Sequence, residues 1–406
     1  MNNCPYKYMP YVAMNSMPTI YYDTNKGCNF QGKRKMDLHD NSAILINQPQ
    51  VVAVMSVPPL KVTEPRLALQ VLADDDGIDA RTIGGCYQVV LYYNQCNEED
   101  NGWNLAGWFV ESLAKALLDH PLLAGRLQRR SDHHNTWLEI VSNDSGIRLL
   151  EARCPLSLAR FLEQNQEENR ETQLVFWKEI DHQNPEFSPL VYVQVTNFEC
   201  GGYSIGISCS LLLAEVLVVD NFLKKWAKIH DEMLSKNGEI KRPIFYQPCQ
   251  KNVDEALASD VISRSLSKNG IQSMVFKITS NEANFNKERL RELAMFCIEE
   301  AEQKLNIKMG SKFSFVVKES SKVTRVESCS KSKRGHSSMQ GLALKNCIQM
   351  TPTTWNEFGL YEVAFCKGNT AVHVSCWVAS VPDGHVLAVP YPKENVSALI
   401  IVSPPR

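Results

Sequence analysis

Gly206-Ile207-Ser208-Cys209-Ser210-Leu211-Leu212-Leu213-Ala214-Glu215-Val216 is the stretch on which the reading of the fold turns. The residues leading into it, Tyr203 to Cys209, carry Ile205 and Ile207 on alternate positions and read as a strand. From Leu212 to about His230 the pattern becomes helical. Leu213, Leu217, Phe222, Leu223 and Trp226 form an inward face, and Lys224, Lys225 and Lys228 fill the later turns. A strand that ends in small residues and runs straight into a helix is a rigid mount for a functional side chain.

Outward from this junction, Leu190–Phe198 is a second strand. It is joined to the first through Glu199-Cys200-Gly201-Gly202, which makes a hairpin. Upstream, Val51–Val57 and Gly85–Tyr93 read as strands. A helix begins with Asn104 as its N-cap and places Leu105, Trp108, Phe109, Leu113, Ala116 and Leu117 on one face. Pro121 ends it, Trp137–Val141 is a strand, and Leu156–Glu168 is helical. Downstream come a strand at Ser273–Ile278, a helix from Asn286 to about Leu305 and a strand at Phe313–Val317. Strands around Val372–Val378 and Ser397–Val402 close the chain. Strands and helices mix in both halves, an α/β or α+β arrangement in layers.

Composition bounds the rest. The 406 residues are 44% hydrophobic and 22% charged, and 43 basic against 45 acidic residues leave a net charge of −2. That balance excludes a chain disordered throughout and a nucleic-acid binder working by phosphate neutralisation. The length suits two or three domains. Residues 1–45 read as a flexible extension, 46–235 as an N-terminal domain, 236–270 as a polar linker and 271–406 as a C-terminal domain. The thirteen cysteines contain no C-x-x-C pair, so they read as reduced thiols filling the core, with no metal site. No apolar run reaches transmembrane length, and the N-terminus lacks the basic and apolar regions of a secretory signal.

With these residues in view, the chain resembles the plant BAHD acyltransferase family over roughly residues 48–406. The resemblance rests on three ordered landmarks. One is Gly206–Val216 with Phe222–Ala227 behind it, and another is the turn His120-Pro121-Leu122-Leu123-Ala124-Gly125-Arg126-Leu127. The third is Asn356-Glu357-Phe358-Gly359-Leu360-Tyr361, in the place of the family's Asp-Phe-Gly-Trp-Gly. The resemblance implies two similar-sized α/β domains of the chloramphenicol-acetyltransferase type, with a channel between them near residues 206–216. In the family, a His-x-x-x-Asp-Gly motif at the end of this strand supplies the general base for attack on an acyl-CoA thioester. Here the histidine position is Leu211, the aspartate position Glu215 and the glycine position Val216. Leucine has no lone pair, and loss of a positioned base costs about 10²–10⁴ in rate. The family aspartate is mainly structural and pairs with an arginine, a role Glu215 can keep. Glu357, Phe358 and Gly359 preserve an acidic-aromatic-glycine turn.

Substitutes for the base are few. Ser208, Cys209 and Ser210 flank the site, but a serine hydroxyl is too weakly basic and a cysteine needs a partner to ionise. His373 is the remaining candidate from the closing strands. His120 belongs to its turn, His133 and His134 to a polar loop, and Lys331–Arg334 to a solvated basic loop. Trp103, Trp108 and Phe109 read as helix core.

Three functional readings follow. The first is a BAHD-like protein without ordinary acyl transfer. It resembles the eceriferum-type branch through Gly-Trp-x-x-x-Ser-Leu at 107–113 and the altered motifs. That resemblance implies a monomer in the cytoplasm, held at the endoplasmic reticulum by a partner. There it would assist a fatty-acid elongase condensing enzyme in making very-long-chain wax precursors. The second is an acyltransferase, for groups other than aminoacyl groups, with a displaced base. The third is an enzyme of another reaction class using the same channel. None of the three calls for a bound cofactor; a coenzyme A thioester would enter as substrate or ligand.

Overall fold

The structure is a computed structural model. It describes residues 47–73, 83–96, 103–132, 136–168, 170–219, 221–236, 273–280, 287–331, 348–353, 355–379, 383–393 and 396–405. The chain divides into two units, Met1–Ala43 and Ile44–Arg406, and every described residue lies in the second. The extension expected over 1–45, His133, His134, residues 237–270 of the linker and residues 332–338 of the basic loop lie outside the described residues.

Two mixed sheets carry the fold. The first contains, in spatial order, β1 (Gln50–Val57), β6 (Ile147–Cys154), β7 (Val191–Phe198), β8 (Tyr203–Ser210), β3 (Cys86–Tyr93) and β15 (His373–Ala379). The second runs β12 (Ile348–Thr353), β9 (Met274–Ser280), β17 (Val396–Ser403), β16 (His385–Lys393), β10 (Lys312–Ser320), β11 (Val323–Ser330), β2 (Ala68–Ala73), β5 (Thr136–Val141) and β4 (Arg126–Ser131). Neither sheet is built from one half of the sequence. Strands β2, β4 and β5 join the sheet of the later residues, and β15 returns to pair antiparallel with β3.

Strands β3 and β8 are buried at every position, as expected of central strands covered on both faces. The face bearing Tyr87, Val89, Leu91 and Tyr93 packs into the largest core, under helices α1 (Trp103–Ala116) and α4 (Phe222–Lys236). The opposite face, with Val90 and Tyr92, packs against Leu158 and Phe161 of α2 (Leu158–Glu168). In the second sheet, Phe276, Phe315 and Ile400 pack under Leu293 and Ile298 of α5 (Lys287–Leu305). Its other face, with Val316, Leu387 and Leu399, belongs to the same core as the inner face of the first sheet. The main core therefore lies between the two sheets.

The hairpin expected at Glu199–Gly202 is present. Gly201 takes a positive φ of 78°, and its N–H donates to Phe198 O at 3.0 Å. The single helix expected from Leu212 to His230 is broken into a 3-10 turn, Leu211–Leu213, a short α3 (Ala214–Val218) and α4. The break falls at Asn221, whose φ of 54° lies in the left-handed region that asparagine tolerates better than most residues. The helix begins at Trp103, one residue before Asn104. The reading of every cysteine as a free thiol also fails: Cys96 and Cys366 are joined in a disulfide, with Cα atoms 6.4 Å apart. Their spacing of 270 residues hides the pair from any local pattern.

Candidate functional site

The junction that opened the sequence reading is built from β8 outward. Ser210 ends the strand with φ −49° and ψ 138°, and its Oγ accepts from Leu212 N at 3.4 Å, which caps the turn that follows. Two backbone bonds fix the turn to its neighbours. Ser210 N donates to Leu190 O at 2.8 Å, and Leu211 N donates to Gly85 O at 3.2 Å. Leu211 is only 1% exposed and packs in the core between the sheets. Its setting is apolar, which suits leucine and would tax a polar side chain.

Glu215, one turn on, forms an ion pair with Lys318 of β10. The two side chains are only 13% and 12% exposed. Lys318 is thus a cationic partner of the carboxylate at this position. The pair joins the element after β8 to the second sheet, a structural task that a carboxylate of either length can perform.

The flanking residues are occupied in packing. Ser208 Oγ accepts from Gln88 Nε2 at 3.0 Å. Cys209 is fully buried; desolvation, with Glu215 adding to it, pushes its thiol well above the ordinary range. A thiol held protonated in this way is neither base nor nucleophile at neutral pH.

His373 is not brought to this site. It pairs in register with Tyr92 on β3, whereas Ser210 pairs with Cys86 on the same strand. Six residues of strand separate them by about 20 Å. Tyr92 also belongs to the core on the opposite face of the sheet from Cys209 and Leu211. The His373 ring lies beside Tyr92, with centroids 5.2 Å apart, and its Nε2 is 3.3 Å from Ser375 Oγ. His120 is held by its turn against Phe222, at a centroid distance of 5.4 Å, and lies 3.4 Å from Lys225 Nζ.

The acidic-aromatic-glycine turn is brought in. Trp355–Phe358 and Leu360–Glu362 are 3-10 turns hinged at Gly359, whose φ is 68°. The left-handed φ favours glycine here, and a Cβ at Gly359 would fall 2.3 Å from Lys224 Nζ, displacing the end of that lysine. Lys224 Nζ bonds Glu362 at 2.7 Å, which docks the turn on α4. Lys277 Nζ bonds Glu357 at 2.6 Å, which ties it to β9. The Trp355 ring packs on Tyr87 with centroids 5.0 Å apart, and Tyr87 is the register partner of Cys209. The two motifs therefore meet through Tyr87 and Trp355.

Sequence reasoning missed Lys318, Tyr87 and Trp355 as members of this neighbourhood. It also missed a polar hub in the Gly-Trp-x-x-x-Ser-Leu segment. Ser112 Oγ accepts from Trp226 Nε1 at 2.9 Å and lies 2.9 Å from His230 Nδ1, inside an aromatic cluster with Phe109 and Phe365. Burial lowers the His230 pKa to about 3, so this histidine stays neutral. No group of three or more metal-ligating side chains occurs among the described residues. No described helix is long and apolar enough to cross a membrane.

The sequence matches the model of the Transferase family over residues 77–330, more than half of the chain. The protein belongs to this family, the BAHD acyltransferases. Curated relatives include a 17,18-epoxy-17-hydroxycur-19-ene N-malonyltransferase of Strychnos nux-vomica. It is 25% identical over 259 residues, 62% of this chain and 52% of the relative. Protein ECERIFERUM 2 of Arabidopsis thaliana is 31% identical over 121 residues, 28% of each chain. Protein ECERIFERUM 26 of the same plant is 34% identical over 106 residues, 26% of this chain and 23% of the relative. The chain spans about half the length, or less, of the relatives it matches. Among solved structures, vinorine synthase aligns at 16% identity with a TM-score of 0.41, covering 88% of this chain and 95% of that one.

Proposed function

We propose that this protein acts by binding rather than by acyl transfer, assisting very-long-chain fatty acid elongation for wax precursors alongside an elongase condensing enzyme. The observation that carries the reading is the setting of Leu211. It occupies the family's base position, is buried in an apolar core, and has neither an ionisable Cys209 nor a nearby His373 to stand in for it. Membership of the Transferase family and partial similarity to the ECERIFERUM proteins support it. In this reading, the stretches 46–235 and 271–406, joined by 236–270, exchange strands, and each lobe is built around one of the two sheets. A long-chain acyl-CoA is a ligand of the space between the lobes, and the condensing enzyme holds the protein at the endoplasmic reticulum.

The test is a turnover assay with a panel of acyl-CoAs and alcohol or amine acceptors, run beside co-expression with a condensing enzyme. The proposal expects no transfer and longer acyl products on co-expression. Robust transfer by the unmodified protein, or unchanged chain lengths, overturns it.

A further inference from the structure

Cys96 and Cys366 occupy a distinctive place among the described cysteines. Cys86, Cys154, Cys209, Cys297 and Cys329 are buried. Burial raises the pKa of Cys154, Cys209 and Cys297, and pushes that of Cys376 up to about 12. Cys200 is exposed but is not joined to another cysteine. Cys96 and Cys366 are both half-buried, within reach of a small oxidant or thiol, and joined to each other.

Their position gives the bond a mechanical meaning. Cys96 follows the end of β3, and Cys366 ends β13 (Ala364–Cys366), which pairs with β14 (Asn369–Thr370). This hairpin connects the turn at Trp355–Glu362 to β15. It is fastened to the end of β3 at three further points. Tyr93 Oη donates to Val363 O at 3.1 Å, Asn369 Nδ2 donates to Asn94 O at 2.8 Å, and Val372 N donates to Tyr92 O at 2.8 Å. Phe365 anchors it in the aromatic cluster with Trp226 at 4.8 Å.

We propose that Cys96–Cys366 is a reversible redox staple that sets how firmly the 363–372 connector, and with it the Glu357-Phe358-Gly359 turn, is held on the first sheet. A disulfide oxidant such as oxidised glutathione closes it in two exchanges. The Cys96 thiolate attacks the glutathione disulfide and releases one glutathione. The Cys366 thiolate then attacks the Cys96 sulfur of the mixed disulfide and releases the second. Two protein thiols thus lose two electrons and two protons, and two glutathione thiols are formed. A reducing thiol reverses both steps. With the staple open, the three hydrogen bonds and Phe365 remain, so the connector loosens without leaving the fold.

The experiment equilibrates the full chain across a series of reduced-to-oxidised glutathione ratios. Acid-trapped samples are mapped by mass spectrometry, and hydrogen exchange is followed over 363–372. The expected result is a linked Cys96–Cys366 peptide that grows with the oxidised share and is lost on reduction. Exchange of the connector should slow several-fold in the linked form. Cys96→Ser and, independently, Cys366→Ser should exchange at the reduced rate under all conditions. Persistent alkylation of both thiols across the series overturns the proposal, as does a linked pair that leaves connector exchange unchanged. Both of these readouts come from the unmodified protein, so they hold even if a variant folds poorly.

Discussion

Glu215 and Lys318 form an ion pair that spans from the turn after β8 to the inner face of the second sheet. With both side chains nearly buried, the Lys318 ammonium is held by the Glu215 carboxylate away from bulk water. Glu215→Gln leaves an unpaired ammonium and should cost about 3 kcal/mol. Glu215→Gln combined with Lys318→Met should regain most of it. Urea-unfolding midpoints of the two variants, at unchanged slope, check this.

Leu211 is packed as core, so its substitutions should rank by shape and polarity. Leu211→Met should cost below about 1.5 kcal/mol and Leu211→Ala about 2–5 kcal/mol. Leu211→His should cost about 1–3 kcal/mol for its poorly satisfied ring nitrogens. Thermal denaturation of the three variants tests the order. Restored transfer in Leu211→His alone would indicate a retained coenzyme A channel lacking only its base.

His230 and His385 are both buried neutral, with pKa values lowered from 6.5 to about 3 by desolvation. Above pH 6.5 neither state binds the proton, and stability should be flat with respect to them. As pH falls from 6.5 towards 3, the unfolded chain takes up protons that the folded chain refuses. Stability should drop by up to about 1.4 kcal/mol per pH unit for each histidine. A denaturant series from pH 8 to pH 4 should show this slope, and His385→Gln should reduce it by about half.

Gly359 combines a left-handed φ with a neighbour, Lys224 Nζ, that a side chain would displace. Gly359→Ala should destabilise by about 1–3 kcal/mol. Because Lys224 holds Glu362, the variant should also weaken the docking of this turn on α4. The Glu362 carboxyl, held below the ordinary carboxylate range by its hydrogen bond and charge interaction with Lys224, should titrate higher in the variant. Carboxyl NMR titration reads that change.

The parts of the molecule legible in sequence were those with a local signature. β3, β7 and β8 are dense in β-formers, α1 and α5 are periodic, and the Gly201-Gly202 turn has a positive φ that only glycine supplies freely. Strands such as β4, Arg126–Ser131, were not legible. Its sequence Arg-Leu-Gln-Arg-Arg-Ser suits an edge strand exposed on one side but carries little apolar pattern. β16 was hidden by Pro390 and Pro392. The site divided in the same way. Leu211 and Glu215 stood out by their order along one motif. Lys318, Tyr87 and the disulfide are set by tertiary distance, and no spacing in the sequence encodes that.

The interleaving of the two sheets has a consequence for synthesis. The sheet that begins with Ala68–Ala73 is completed only by Val396–Ser403, and β3 waits for His373–Ala379. Pairings of such long sequence separation close slowly and late. A nascent chain emerging at about 5–20 residues per second exposes unpartnered strand edges for much of a minute before its last strands arrive. For this chain the closing strands of both sheets, His373–Ala379 and Val396–Ser403, emerge almost together, so both sheets stay open until the same short stretch of sequence has been made.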